Sequence, residues 1–218
     1  MKNTLYRIIL LRHAESEKNI KKIHGGNGEK LTDVGINQAK DIANIIKNRF
    51  NIGKFKIFAS TSFHTRATAE VIAKELNIGV EKPIDFKPLY LGVADGLSEE
   101  EMKEKYPSEQ KLFEKWRKRE IDIKELKIKD MENYMIFWRR GEKFLSNIPQ
   151  NSDSMLVCSN SLMILLANIL KGNHPETTQK YRHLDIENCG MIVFKTIDFK
   201  FFTIDDNLTN VNLPSCNW

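Results

Sequence analysis

Three short polar clusters in this chain carry residue types that could act together on a phosphoryl group. The segment "RIILLRHAESEKN" (7–19) ends an apolar run on Arg12 and His13, and "ASTSFHTRATAE" (59–70) carries Ser60, Ser62, His64 and Arg66. A second apolar run, in "LVCSNSLMILLANIL" (156–170), ends on Ser159, Asn160 and Ser161. Arginine offers a planar fork matched to phosphate oxygens, and a neutral imidazole is a competent nucleophile towards phosphorus. Ser161 opens a helical pattern, and the free N–H groups of a helix start favour an anion. Each cluster alone says little: an Arg-His pair arises often by chance, and a glycine-bearing stretch such as "HGGNGEK" is usually a turn. Their common placement decides.

The clusters can converge only if strand ends bring them to one edge. "LYRIILLR" (5–12) is a continuous apolar run of strand length, as expected of a buried parallel strand. The polar segment "HAESEKNIKKIHGGNGEK" (13–30) reads as a loop. "LTDVGINQAKDIANIIKNRF" (31–50) predicts an amphipathic helix capped by Thr32, with Ala39, Ile42, Ala43, Ile46 and Phe50 on one stripe. "FKIFAS" (55–60) predicts a second strand, and "HTRATAEVIAKEL" (64–76) a second helix closing before Asn77 and Gly79. The stretch from Ser98 to about Ile148 is rich in Lys, Glu and aromatic residues and predicts two or three helices forming a cap beside the sheet. Strand and helix return in "SMLVCSNSLMILLANILKG" (154–172), and "GMIVFKTI" (190–197) and "KFFTIDD" (200–206) read as two closing strands, the last at an edge. The alternation predicts an α/β fold with a mostly parallel sheet. In such sheets ligands bind beyond the carboxyl ends of the strands, where Arg12, His13, Ser60, Ser62 and Ser159 fall.

Composition bounds the rest. With 218 residues, 41% hydrophobic and 29% charged, the chain suits one domain, 1–218, carrying a helical cap insertion at about 98–148. The net charge of +5 favours anionic ligands, but the lysines alternate with acids along helices, and no basic run is interleaved with aromatics. Nucleic acid is therefore not the expected partner. Cys158, Cys189 and Cys216 are odd in number and lack CxxC spacing, which argues against a disulfide framework and a zinc site. Neither a signal peptide nor a membrane span is legible, so a cytoplasmic protein is expected.

Taken together, the motifs resemble those of the histidine phosphatase superfamily, the phosphoglycerate-mutase-like fold. "LRHAESEKN" matches its opening Arg-His signature with the Glu and Asn that follow, and "LTDVGINQA" its Leu-Thr, Gly, Gln-Ala pattern. "STSFHTRATAEVIA" approximates its Ser, Arg-Ala, Thr-Ala element, "LGVADGLSEEE" its Gly, acid, Gly element, and "ENCGMIVF" its closing Asn and strand. The resemblance spans nearly the whole chain in order. It implies a three-layer α/β/α fold and a phosphohydrolase or phosphomutase that needs no metal or cofactor and proceeds through a phosphohistidine. His13 would be the nucleophile and Arg12 would hold the transferring oxygens. Asn19 would donate a further hydrogen bond, with Ser16, His24 and Ser161 nearby. For the second pocket arginine, Arg66 is the arginine available, while counting from Ser60 puts His64 in that register; either could serve.

Two departures bear on activity. Pro88, in "FKPLYLG", stands where the family places the glutamate that protonates the leaving group. Asp85, Asp95 or one of Glu99, Glu100 and Glu101 could substitute, and the sequence does not choose among them. Without a donor, an acidic leaving group such as pyrophosphate or an aryl alcohol suffers less than a sugar alcohol. Asn160 stands where the family has its second histidine; it can donate a hydrogen bond but carries no charge. That change is open to three accounts: a different substrate, a catalytically silent binding protein, or a laboratory substitution. The expected function is hydrolysis of a small phosphorylated metabolite, sugar phosphate or nucleotide-like. The alternatives are a phospholigand-binding or scaffold protein and, third, a phosphomutase. Trp116, Arg117, Arg119, Tyr134, Trp138, Arg139 and Arg140 are expected to line or close the mouth, with Arg140 equally suited to a structural place behind the site. His174 and His183 are expected at the surface or in packing. The last strand could pair across a homodimer.

Overall fold

The computed structural model describes residues 5–82, 86–178, 181–197, 202–207, 209 and 210. Asp85 and Cys216 lie outside them. Strands β1 (Tyr6–Arg12), β2 (Phe55–Ala59), β3 (Asp153–Cys158), β4 (Met191–Thr196) and β5 (Thr203–Ile204) form one sheet in the order β2-β3-β1-β4-β5. β2, β3 and β1 are mutually parallel, β4 runs antiparallel to β1, and β5 antiparallel to β4. The registers Arg12 with Cys158 and Ala59 with Val157 align three carboxyl ends on one edge. The chain emerges from those ends at His13, Ser60 and Ser159.

The alternation of strand residues explains the layers. On β1, Ile9 and Leu11 face one way, into a cluster with Ala39, Ile42 and Ile46 of helix α2 (Asp33–Arg49) and Ala69 and Ile72 of α3 (Phe63–Leu76). Ile8 and Leu10 face the other way, towards helices α6 (Tyr134–Ser146) and α7 (Asn160–Lys171). Both faces are dry, as the uninterrupted apolar run required. Between the first strand and α2 lies a single turn, α1 (Glu17–Ile20). Thr32 caps α2 as expected, its hydroxyl accepting from Gly35 N at 3.0 Å. Asn77 ends α3 in the left-handed conformation at φ 54°.

The 98–148 region divides in two. Helices α4 (Glu99–Lys105) and α5 (Pro107–Arg117) and the segment after them lie beyond the strand ends, and Phe113, Trp116 and Arg117 reach the cavity there. α6 instead belongs to the layer on the sheet: Phe144 stacks on Phe86 at 3.7 Å and meets Phe58 of β2 edge-on. Gly141 allows its close approach to α7, since a Cβ there would meet Leu165 and Ile169 at 2.8 Å. Tyr134 and Trp138 are accordingly buried core residues rather than lining of the mouth. β5 is an edge strand of two residues. Among the described residues no helix is long and apolar enough to cross a membrane.

Candidate active site

A cavity of about 530 Å³ opens at the carboxyl ends of β1 and β3 and is lined by Arg12, His13, Lys18, Asn19, His24, Ser62, His64, Asp95, Ser159, Asn160 and Ser161. His13 is only 4% exposed. Its backbone N–H donates to Cys158 O at 3.0 Å, which fixes the strand-end geometry. Its ring Nδ1 lies 2.8 Å from Ala14 O. A carbonyl only accepts, so this contact assigns the proton to Nδ1 and leaves the lone pair on Nε2. Burial first, then His64 and Arg12, holds the His13 pKa well below its ordinary value, so the ring is neutral at neutral pH.

The neighbours of His13 are positioned by short-range contacts that the motifs encode. Glu15 is held by Thr32 Oγ1 at 2.7 Å, by Gln38 Oε1 on its N–H at 2.9 Å, and by close packing of its carbonyl on Gly35. This is the physical content of the "LTDVGINQA" segment. Thr68 Oγ1 accepts from Ala14 N at 3.1 Å and donates to His64 O at 2.8 Å, linking the two histidine-bearing segments. Asn19 Oδ1 accepts from Ser16 N, Ser16 Oγ and Asn188 Nδ2 at 3.0, 2.9 and 3.4 Å. Its Nδ2 is thereby left for the cavity. Asn188 also donates to His13 O at 2.9 Å. Arg12 donates to Ile186 O, while its Nε has no partner, and burial lowers its pKa against the fields of Asp185 and Glu187.

His64 occupies the place expected of a second cation. Its ring centroid lies 4.0 Å from that of His13, it is 1% exposed, and neither ring nitrogen has a partner. Burial first, then Lys18 and Arg12, pushes its pKa down to about 3. Arg66 sits two positions further on the same helix, is exposed and does not line the cavity. The register counted from Ser60 therefore identifies the side chain that reaches the pocket. Ser16 is also absent from the lining; fully buried, its hydroxyl orients Asn19. Asn160, the first residue of α7, lines the cavity with its Oδ1 unpartnered, and Ser161 Oγ lies 3.4 Å from Ser159 Oγ.

Three glycines with positive φ let the 24–28 loop close on these groups. A Cβ on Gly28 would lie 1.9 Å from His64 Nδ1, and one on Gly25 would overlap the Asp95 carboxylate. His24 pairs through its backbone with Leu97 and Gly96, stacks on Phe113 at 4.7 Å and approaches Arg117. Burial first, then Arg117, lowers its pKa. Of the candidate acids, Glu99 pairs with Arg117 and Glu101 completes the Ser98 cap. Glu100 is exposed. Among the described residues Asp95 alone reaches the cavity. Arg140 lies outside it, binding Glu132 through Nε and Nη2 and the carbonyls of Lys87 and Pro88. Arg119 lines a separate cavity of about 410 Å³ with His183, whose ring packs edge-on against Trp116. His174 packs on Trp138. The described residues hold no cluster of three His, Cys, Asp or Glu side chains placed for a metal.

Fold and cavity define an α/β protein whose parallel strand ends gather a neutral histidine and half-buried cations around one pocket. Residues 8–205 match the histidine phosphatase superfamily (branch 1), and the chain belongs to that family. A probable phosphoglycerate mutase GpmB of Photorhabdus laumondii is 28% identical over 199 residues, covering 86% of this chain and 83% of that protein. A 2,3-bisphosphoglycerate-dependent phosphoglycerate mutase of Borreliella afzelii is 30% identical over 135 residues, 59% of this chain and 52% of that one. Among solved structures, the alpha-ribazole phosphatase of Shigella flexneri superposes with a TM-score of 0.72 at 19% identity, covering 91% of this chain and 94% of that one. A mycobacterial glucosyl-3-phosphoglycerate phosphatase gives 0.71 at 17% identity, with coverage of 93% and 98%. These likenesses establish the fold.

Lys18 is a charged lining residue that the sequence reading did not single out. Lys18 is one lysine among many, and only its place immediately before Asn19 hinted at the pocket.

Proposed function

We propose that the protein is a phosphomonoesterase that works through a phosphohistidine on His13. The observation that carries this reading is the His13 tautomer: Nδ1–H held by Ala14 O, ring neutral, lone pair on Nε2 beside Arg12. In the first step Nε2 attacks phosphorus, the N–P bond forms, and the P–O bond breaks with its electron pair leaving on the ester oxygen. The Ala14 carbonyl stabilises the positive charge that develops on the ring. Arg12, Asn19 and the N-terminus of α7 at Asn160 and Ser161 meet the charge on the equatorial oxygens. Water then attacks phosphorus, the N–P bond breaks, and inorganic phosphate leaves with a proton released to solvent.

Pro88 lines the cavity and offers no proton. The wall away from His13 is apolar and aromatic, formed by Ile23, Leu89, Tyr90, Leu91, Phe113 and Trp116. Both features suit a leaving group that is acidic and partly apolar, such as an aryl alcohol or a nucleotide phosphate, over a plain sugar alcohol. A phospholigand-binding protein is the second reading, and it is favoured by the three neutral groups Pro88, His64 and Asn160 around one nucleophile. Phosphate release from aryl phosphates, sugar phosphates and nucleotides separates the two. The enzyme reading expects turnover that His13→Ala abolishes and Asn160→His raises by about 10²-fold, the worth of one oxyanion donor. Background rates throughout, with no phosphohistidine formed from phosphoramidate, would leave the binding protein.

A further inference from the structure

Lys18 is a half-buried cation of the cavity that the reaction above does not use. Its neighbours in sequence show what a lysine here would ordinarily do: Lys21 and Lys22 extend into solvent, and Lys21 pairs with Glu17 and Glu29. Lys18 turns inward, lines the cavity beside Arg12 and Asn19, and donates to the carbonyl of Gly25. Among the described residues it forms no ion pair. Asp95 acts on it, with its carboxylate resting on the Cα of Gly25, so that loop residue joins the two. An ammonium has three N–H donors, and the Gly25 carbonyl takes one.

Burying a cation without a contacting anion is unfavourable, and a second cation in the same cavity makes it more so. Arg12 is that second cation, itself half-buried and lacking a carboxylate within ion-pair distance among the described residues. One dianion placed between them relieves both. Resting on the phosphoryl reading of the cavity, we propose that Lys18 is a substrate-binding residue that contacts the phosphoryl group, forming with Arg12 a two-cation cradle that selects dianionic monoesters over singly charged diesters and sulfate esters. The cation is thereby supplied from the short helix α1, on a different element from His64 and Asn160.

The pH dependence of binding follows from the groups that face Lys18. Arg12 approaches from the end of β1, His13 from the following residue, His24 from the glycine loop, His64 from α3 and Asp95 from the short turn before Gly96. The three histidines are all held below their ordinary values and stay neutral above pH 7. Lys18, lowered by burial to about 8 against the field of Asp95, is the group of this set that titrates between pH 7 and 9.

The test is calorimetric titration of the whole chain with inorganic phosphate, using the unaltered protein, Lys18→Met and Lys18→Arg at pH 7 and pH 9. Methionine keeps the apolar stem, so folding is not at issue, and thermal melts of each variant confirm that. Lys18→Met should weaken phosphate binding by about 10- to 100-fold at pH 7, the worth of one charge-assisted contact. Lys18→Arg should restore it to within about threefold and lose none of it at pH 9, where phosphate is wholly dianionic, while the unaltered protein loses affinity there relative to that variant. Phosphate bound equally by the unaltered protein and Lys18→Met overturns this inference and leaves the phosphoryl site standing. No phosphate binding in the unaltered protein, with His13 unlabelled by phosphoramidate, overturns both together.

Discussion

The two neutral histidines at the cavity floor tie stability to pH, and His64 allows the effect to be sized. Its pKa is about 3 in the folded protein, with burial the largest cause, against about 6.5 for an unfolded chain. Between those values the unfolded state binds the extra proton, so stability rises with pH. The contribution is fully present above about pH 6.5 and drains away as pH falls towards 3. At pH 5 the unfolded imidazole lies 1.5 pH units below its own pKa and gains about 2 kcal/mol from protonation that the folded ring cannot gain. For a chain of this size that lowers the melting temperature by about 4–8 °C. His13 shifts in the same direction and adds to the loss. Paired carboxylates also lose stability in acid, so the quantity to measure is a difference. Urea denaturation from pH 7.5 to 5 should show the unaltered protein losing about 2 kcal/mol more than His64→Phe, which keeps an aromatic ring and sacrifices no hydrogen bond, since neither nitrogen has a partner. Parallel stability curves for the two proteins, or an NMR titration of His64 centred near 6.5, would refute the argument that this ring is held neutral by burial.

Two further outcomes follow from the supports of the cavity. Gly28→Ala places a methyl group against the His64 ring at a φ of +89°, so it should cost about 2–4 kcal/mol in urea denaturation. Gly79→Ala, with nothing within 4 Å of the new Cβ, should stay within about 0.5 kcal/mol and serves as its control. Arg140→Met removes a forked contact to Glu132 at 2.6 and 2.8 Å together with the bond to Lys87 O at 2.8 Å. It should lower stability by about 1–3 kcal/mol, and steady-state kinetics should show a higher KM from the loosened 87–91 wall, with kcat less affected.

The parts of the fold legible in the sequence are those dictated by local periodicity. The apolar run of β1 announces a strand buried on both faces, and the stripe from Ala39 to Ile46 announces α2, because each pattern has one geometry that buries it. The division of the 98–148 region was not legible. Tyr134, Phe137, Trp138 and Phe144 give α6 an apolar face that suits a cap or a sheet layer equally; what decides is the partner, Phe58, Phe86 and α7, which lie far away in sequence. The antiparallel course of β4 is likewise a property of the connection and not of "MIVFKT". At the site, Arg12 and His13 were legible because a strand end fixes their direction. Arg66 and His64 were not separable by residue type, since arginine is the better phosphate ligand. They are separated by helix phase: from Ser62 at the N-cap, the second helical position turns into the pocket and the fourth turns out.

The turn of His64 into the pocket also sets how the pocket manages charge. A site built to hold a dianion must place positive charge near it, yet His64 and Asn160 contribute none and Pro88 withholds a proton. The positive groups nearest His13 are Arg12, Lys18 and the start of α7, while Lys87 and Arg117, the latter paired with Glu99, line the cavity on its cap side. The α3 side, where His64 packs against His13, is neutral and closely shielded by Gly28. A neutral neighbour costs the nucleophile less than a cation would, because any positive charge beside Nε2 lowers the basicity of the lone pair that must attack phosphorus. The arrangement therefore shifts weight from holding the transferring oxygens on all sides towards keeping His13 unprotonated and nucleophilic. On the proposed phosphohistidine reading, such a pocket depends on its substrate to supply a leaving group that departs without help, and that reading assigns the choice of that group to the apolar lining from Ile23 to Trp116.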